Sequence, residues 1–196
     1  MQVYIGSSGW SYPDWKGVFY PLNLSIRNYL SYYANHFNTL EINSTFYHFP
    51  TAKSVHAWKQ QVPDTFKFSL RVSRLITHTQ RMKQVQEPLQ RFYGLQEILQ
   101  DKLGYFLSQF PASFRCSEEN IKQLLSQVDP LYHHVMEFPH PSWWKDQVVH
   151  RLQEHHIIFC TVSGFGLPEE LIATQGVAYI RFHGEPTYEV CYTKAA

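Results

Sequence analysis

Glu41, Glu137 and His183 are the side chains best suited to moving protons, because each lies on or at the end of a segment that could be a strand. In a strand, successive side chains point to opposite faces. Over Thr39 to Asn43 the residues alternate apolar with polar, which places Glu41 and Asn43 on one face. Lys67, Ser69 and Arg71 alternate in the same way with Phe68 and Leu70, and Tyr179, Arg181 and His183 alternate with Ile180 and Phe182. Paired carboxylates can divide acid and base work between them. If Glu41 and Glu137 sit three strands apart in a closed barrel, they face one another across its interior. The same residues also allow Glu41 to form an interior ion pair with Lys67 or Arg71.

Arg71, Arg74 and Arg181 offer permanently charged, forked donors that match a carboxylate or phosphate. His183 is followed by Gly184, which lets the backbone turn or a ligand approach closely. Further polar or aromatic candidates at strand ends are Ser7, Ser8 and Trp10 after the first strand, His78 after the third, Gln109 on the fourth and His140 after the fifth. The expected site therefore has Glu41, Glu137 and His183 as catalytic groups. Trp10, Asn43, Arg71, Arg74, His78, Gln109, His140 and Arg181 are expected to bind substrate. No HExxH or CxxC spacing supports a metal, and no GxxxxGK[ST], GxGxxG or GxSxG motif supports nucleotide-cofactor or nucleophile-elbow chemistry. Neither metal nor cofactor is expected.

Apolar patterning places strands near 2–6, 38–43, 66–71, 104–110, 134–138, 157–162 and 177–183. Ile26, Tyr29, Leu30, Tyr33, Ala34 and Phe37 follow helical spacing behind Ser25 as a candidate N-cap. Thr51 opens a helix with Val55, Trp58 and Val62 on one side, and Ser117 opens another with Ile121, Leu124, Leu125 and Val128. The stretch from Met82 to Leu99 is periodic, with Pro88 marking a kink or restart. Pro141 and Ser142 introduce a helix through Leu152, and Pro168 a short one before Ala173.

Alternating strands and helices imply parallel strands joined by right-handed crossovers. An open sheet buries both faces of its central strands under helices, whereas a barrel can hold polar side chains inside near its mouth. The polar alternation therefore favours an α/β, TIM-barrel-like repeat over 1–196 as a single domain, with about seven strands and helices covering Leu40, Ile42, Phe68, Leu70, Ile180 and Phe182. Residues 184–196 hold no complete strand and helix of that kind, so a barrel lacking its last βα unit is expected.

The chain has 196 residues, 44% hydrophobic and 16% aromatic, with a net charge of +1. Such a balance gives no global field to draw the protein onto nucleic acid or an acidic membrane, so any anion site must be local. Cys116, Cys160 and Cys191 are widely spaced, as in a reduced cytoplasm. Neither a signal peptide nor a membrane span is legible.

The segments Gly6 to Gly17, Tyr33 to Tyr47, Phe66 to Ser69, Arg74 to His78 and Arg181 to Gly184 resemble the YecE-like family of unknown function. The resemblance runs from 5 to 184 and implies a TIM-barrel-like fold with no established reaction. Two departures stand out. Pro139 occupies a position where the family usually has Arg, which would remove one anion contact, and the family's acidic, asparagine-rich final unit is absent.

The expected function is a hydrolase-like protein that binds a small anionic or phosphorylated ligand at the mouth of the barrel. A glycosidase-like pair, Glu41 and Glu137, and a nucleic-acid interaction module are the alternatives. The location expected is cytoplasmic.

Overall fold

The computed structural model describes residues 1–164, 166–168 and 170–184. Six strands follow one another in both sequence and sheet order: β1 (Thr39–Ile42), β2 (Lys67–Arg71), β3 (Leu103–Gln109), β4 (His134–Glu137), β5 (Ile157–Ser163) and β6 (Tyr179–Phe182). They are parallel. Helix α1 (Tyr29–Ala34) precedes β1, and α2 (Ser44–Tyr47), α3 (Ala52–Gln60), α4 (Gln86–Tyr93), α5 (Leu95–Leu99), α6 (Glu118–Gln127) and α7 (Asp146–Glu154) lie in the connections from β1 to β5. Parallel neighbours need such crossovers, and the chain is accordingly an α/β protein.

Contacts cluster into two compact units, the first comprising Met1–Arg74 with Glu87–Phe106 and the second Leu75–Gln86 with the described residues from Leu107 onward. In the first unit Leu40, Ile42, Phe68 and Leu70 are completely buried, as the alternation of β1 and β2 predicts. Thr51 caps α3 by accepting a hydrogen bond from the Ser54 amide at 3.1 Å. α3 packs on α5. The buried ammonium of Lys102 donates to the carbonyls of Lys59 and Val62 at 3.0 and 2.8 Å, which satisfies acceptors where α3 ends. In the second unit Ser117 caps α6 through the Asn120 amide at 3.1 Å, Leu124 is fully buried, and α7 packs on β5.

Several expectations are corrected. Residues 2–6 form no strand. They run beside β1 through hydrogen bonds to Asn38, and only Ser8 makes a β-bridge, to Glu41. Gly6 is indispensable to that approach, since a Cβ there would lie 2.0 Å from the Thr39 carbonyl oxygen. Ser25 makes no side-chain cap; a 3-10 turn at Ile26–Asn28 precedes α1 instead. Pro88 lies in the first turn of α4, where its missing N–H costs no helical bond, and the break falls later, at Gly94. The described residues from 166 to 173 contain no helix. β6 buries Arg181 and His183 as expected, but its apolar face lacks the expected cover: Ile180 and Phe182 are 41% and 64% exposed. β6 is the last strand among the described residues, and no described helix follows it to cover those two side chains.

Candidate functional site

The second unit gathers four of the predicted site residues into one buried cluster. Gln109 ends β3, Glu137 ends β4, Arg181 lies within β6 and His183 follows it directly. All four residues of β4 are buried, so its terminal carboxylate has no route to solvent and must be satisfied by protein. Glu137 Oε2 accepts from Arg181 Nη1 at 2.5 Å, while Oε1 accepts from Gln109 Nε2 at 2.8 Å and faces His183 Nε2 at 3.2 Å. The pairing of β6 with β5 sets this geometry. Arg181 lies opposite Val162, and the His183 amide donates to Ser163 at 3.0 Å, which carries the register one residue beyond β6. Gly164 admits the histidine: its φ is +114°, and a Cβ there would sit 3.4 Å from His183 Cβ and 3.0 Å from the Gly184 carbonyl.

Burial by itself would raise the pKa of Glu137. The hydrogen bond from His183 and the charge of Arg181 outweigh it, and the carboxyl is held below its ordinary value. Glu137 is therefore an ionised carboxylate rather than a proton donor near neutral pH. The charge of Arg181 is matched by Glu137, so the trio is neutral with a neutral imidazole and gains one positive charge when His183 is protonated.

The tautomer of His183 follows from its neighbours. Nε2 lies 3.2 Å from a carboxylate oxygen and 3.4 Å from Arg181 Nη1, a nitrogen that already donates at 2.5 Å to Glu137. A bare Nε2 would set its lone pair against an anion, so the proton belongs on Nε2 and the acceptor lone pair on Nδ1. This is the arrangement in which a carboxylate orients a histidine for proton transfer.

The first unit holds a second set of predicted residues. The half-buried Glu41 accepts from Ser8 Oγ at 2.5 Å, and its backbone bonds to Ser7 and Gly9. Lys67, one of its two expected partners, is turned instead toward the Asp101 carbonyl. Arg71 lies over the Phe46 ring at 4.0 Å, and Arg74 is exposed. Asn43 has helical φ and ψ and so does not continue the alternation of β1; its Oδ1 is buried without a hydrogen-bond partner among the described residues. Trp10 is half-buried against Trp58. Beside them, the Tyr33 hydroxyl accepts from the Ser7 amide at 2.7 Å and donates to Thr39 at 3.1 Å, and burial raises its pKa.

The remaining two candidates belong to the second unit. His78 lies in a π-helical turn, Leu75–Thr79, with Nδ1 at 2.9 Å from Thr77 Oγ1. His140 caps the 3-10 turn Pro141–Trp143: its Nδ1 accepts from the Ser142 amide at 3.1 Å. Among the described residues no three His, Cys, Asp or Glu side chains converge as metal ligands. Every member of the Glu137 cluster is a candidate in the sequence, but their pairing is not legible there, because Gln109, Glu137 and Arg181 are separated by tens of residues and only strand register joins them.

The family model for "Protein of unknown function DUF72" matches residues 4–196. The chain belongs to the DUF72 family. It is 28% identical over 143 residues to UPF0759 protein YecE of Escherichia coli (strain K12), covering 72% of this chain and 50% of that protein. It is 27% identical over 128 residues to UPF0759 protein YunF of Bacillus subtilis (strain 168), covering 62% and 44%. The chain thus spans about half the length of these curated relatives. A DUF72 family protein from Thermotoga maritima MSB8 has a crystal structure that superposes with a TM-score of 0.86 at 30% identity, over 99% of this chain and 83% of that one. One from Enterococcus faecalis V583, at 23% identity and a TM-score of 0.71, shares the fold over 85% of this chain and 67% of its own. In this DUF72 protein no helix among the described residues is long and apolar enough to cross a membrane.

Proposed function

We propose that this DUF72 protein acts as a hydrolase on a small anionic or phosphorylated ligand, with His183 as the proton-transfer group and Glu137 as its positioning partner. The carrying observation is the contact of the ionised Glu137 with His183 Nε2 at 3.2 Å, buttressed by Arg181 and Gln109. With Nε2 protonated, Nδ1 takes a proton from water as that water attacks the ester and returns it to the leaving group. Arg181 keeps Glu137 ionised throughout. The charge of the trio favours a negative ligand when the imidazole is protonated. Arg71 and Arg74 are proposed as anion contacts of the first unit.

The test is a panel of p-nitrophenyl phosphate and p-nitrophenyl carboxylate esters turned over by the wild-type chain and by His183→Asn. General acid–base catalysis is worth about 10²–10⁴-fold, so His183→Asn is expected to lose at least the lower of these factors in kcat with an intact fold. Turnover equal to wild type in His183→Asn, or none by the wild-type chain on any ester, would overturn the proposal.

A further inference from the structure

The first unit carries a cleft of about 310 Å³. Trp10 and Trp58 form its corner, with ring centroids 6.3 Å apart and planes at 79°. Ile26 and Leu30 supply an apolar wall, while Ser11, Arg27, Ser54 and Gln61 are its polar lining and Arg27 its one charged side chain. No acidic side chain lines it, and Arg27 makes no ion pair among the described residues.

The walls are fixed before any ligand arrives. Gly9, with φ +100°, turns the chain into Trp10, and the Tyr20 hydroxyl donates to the Trp10 carbonyl. Tyr20 in turn stacks on Tyr29 at 3.9 Å, which ties the Trp10 loop to the start of α1 and so to Arg27 and Leu30. The Thr51 cap holds the first turn of α3, the helix that presents Ser54 and Trp58. Ligand sites are commonly preformed, mostly apolar and carry a few placed polar groups, and the volume is at the small end of that range.

We propose that this cleft binds a planar aromatic carboxylate of one or two rings. Two tryptophans at near right angles let an aromatic ring stack on one indole while meeting the edge of the other. The guanidinium of Arg27 supplies a forked donor for a carboxylate, and no acidic side chain among the described lining residues competes for it. A neutral ring gains only the stacking. The cleft is independent of the hydrolase proposal, since all of its lining residues belong to the first unit.

Benzoate is the probe and benzamide its uncharged counterpart, followed through the tryptophan indole N–H signals of the ¹⁵N-labelled chain. Benzoate is expected to shift the Trp10 and Trp58 signals saturably, while Trp143, completely buried in the second unit, stays in place and reports an intact fold. Benzamide is expected to bind roughly tenfold more weakly, and Arg27→Gln to erase that difference. Trp58→Ala is expected to remove the Trp10 shift while the Trp143 signal is retained. Trp58→Phe, which keeps an aromatic wall, is expected to restore binding should the alanine variant disturb Trp143. Absence of saturable shifts with benzoate, or equal affinity for benzoate and benzamide in the wild-type chain, would overturn the proposal.

Discussion

At the residue scale, Glu137 is costly to bury and is tolerated only because every donor around it is in place. Removing one partner of a buried ion pair leaves the other charge stranded, at about 3–5 kcal/mol. Glu137→Gln is therefore expected to lower folding stability by that amount in urea unfolding. The double replacement Glu137→Leu with Arg181→Met is expected to recover most of the loss, since no charge is then left buried. A single variant as stable as wild type would show that the pair is not desolvated as described. The same chemistry sets a direction in acid. Because the folded pKa of Glu137 is lowered, its contribution is present above the unfolded value and is lost as pH falls through the folded one.

At the element scale, β1 depends on a close backbone approach and β4 on a neutral histidine. A methyl group at Gly6 would meet the Thr39 carbonyl at 2.0 Å, so Gly6→Ala is expected to push the segment that precedes it off β1. Hydrogen exchange reads this directly: the amides of Ile5 and Glu41, which bond to Asn38 and Ser7 across that contact, are expected to lose protection, and unchanged protection would contradict it. His134, the first residue of β4, has its pKa lowered from 6.5 to about 4 by burial, against the weaker pull of the Asp129 carbonyl. Protonation therefore favours the unfolded chain. Stability is full above the ordinary histidine value and falls on acidification toward the folded one, by on the order of 3 kcal/mol. His134→Phe is expected to flatten that window in urea unfolding by circular dichroism.

At the scale of the whole molecule, these two groups give an acid response in two steps. The upper step belongs to His134, and the lower one to Glu137, below the ordinary glutamate value. Urea midpoints from neutral pH into acid are expected to fall twice in the wild-type chain and once in His134→Phe; a single fall in both would contradict the assignment. The α/β class was legible because period-two and helical patterns alternate along most of the chain, and the caps at Thr51 and Ser117 because their signal is local. Three features were not legible for a common reason: each is decided by neighbours distant in sequence. Residues 2–6 look like a strand but touch β1 through Asn38. Ile180 and Phe182 look like a buried face but lie on the last described strand of the sheet. Glu137 has no partner close in sequence, and only β6 brings Arg181 and His183 to it.

The ring of His183 decides the matter most directly. Long-range ¹H–¹⁵N spectra of the imidazole in the wild-type chain, taken where the ring is neutral, assign its proton to one nitrogen. The expected result is a protonated Nε2 and an unprotonated Nδ1, with that preference weakened in Glu137→Gln. A proton on Nδ1 with Nε2 bare would place Arg181, not Glu137, as the partner that sets the tautomer, and would remove the base on which the proposed chemistry rests.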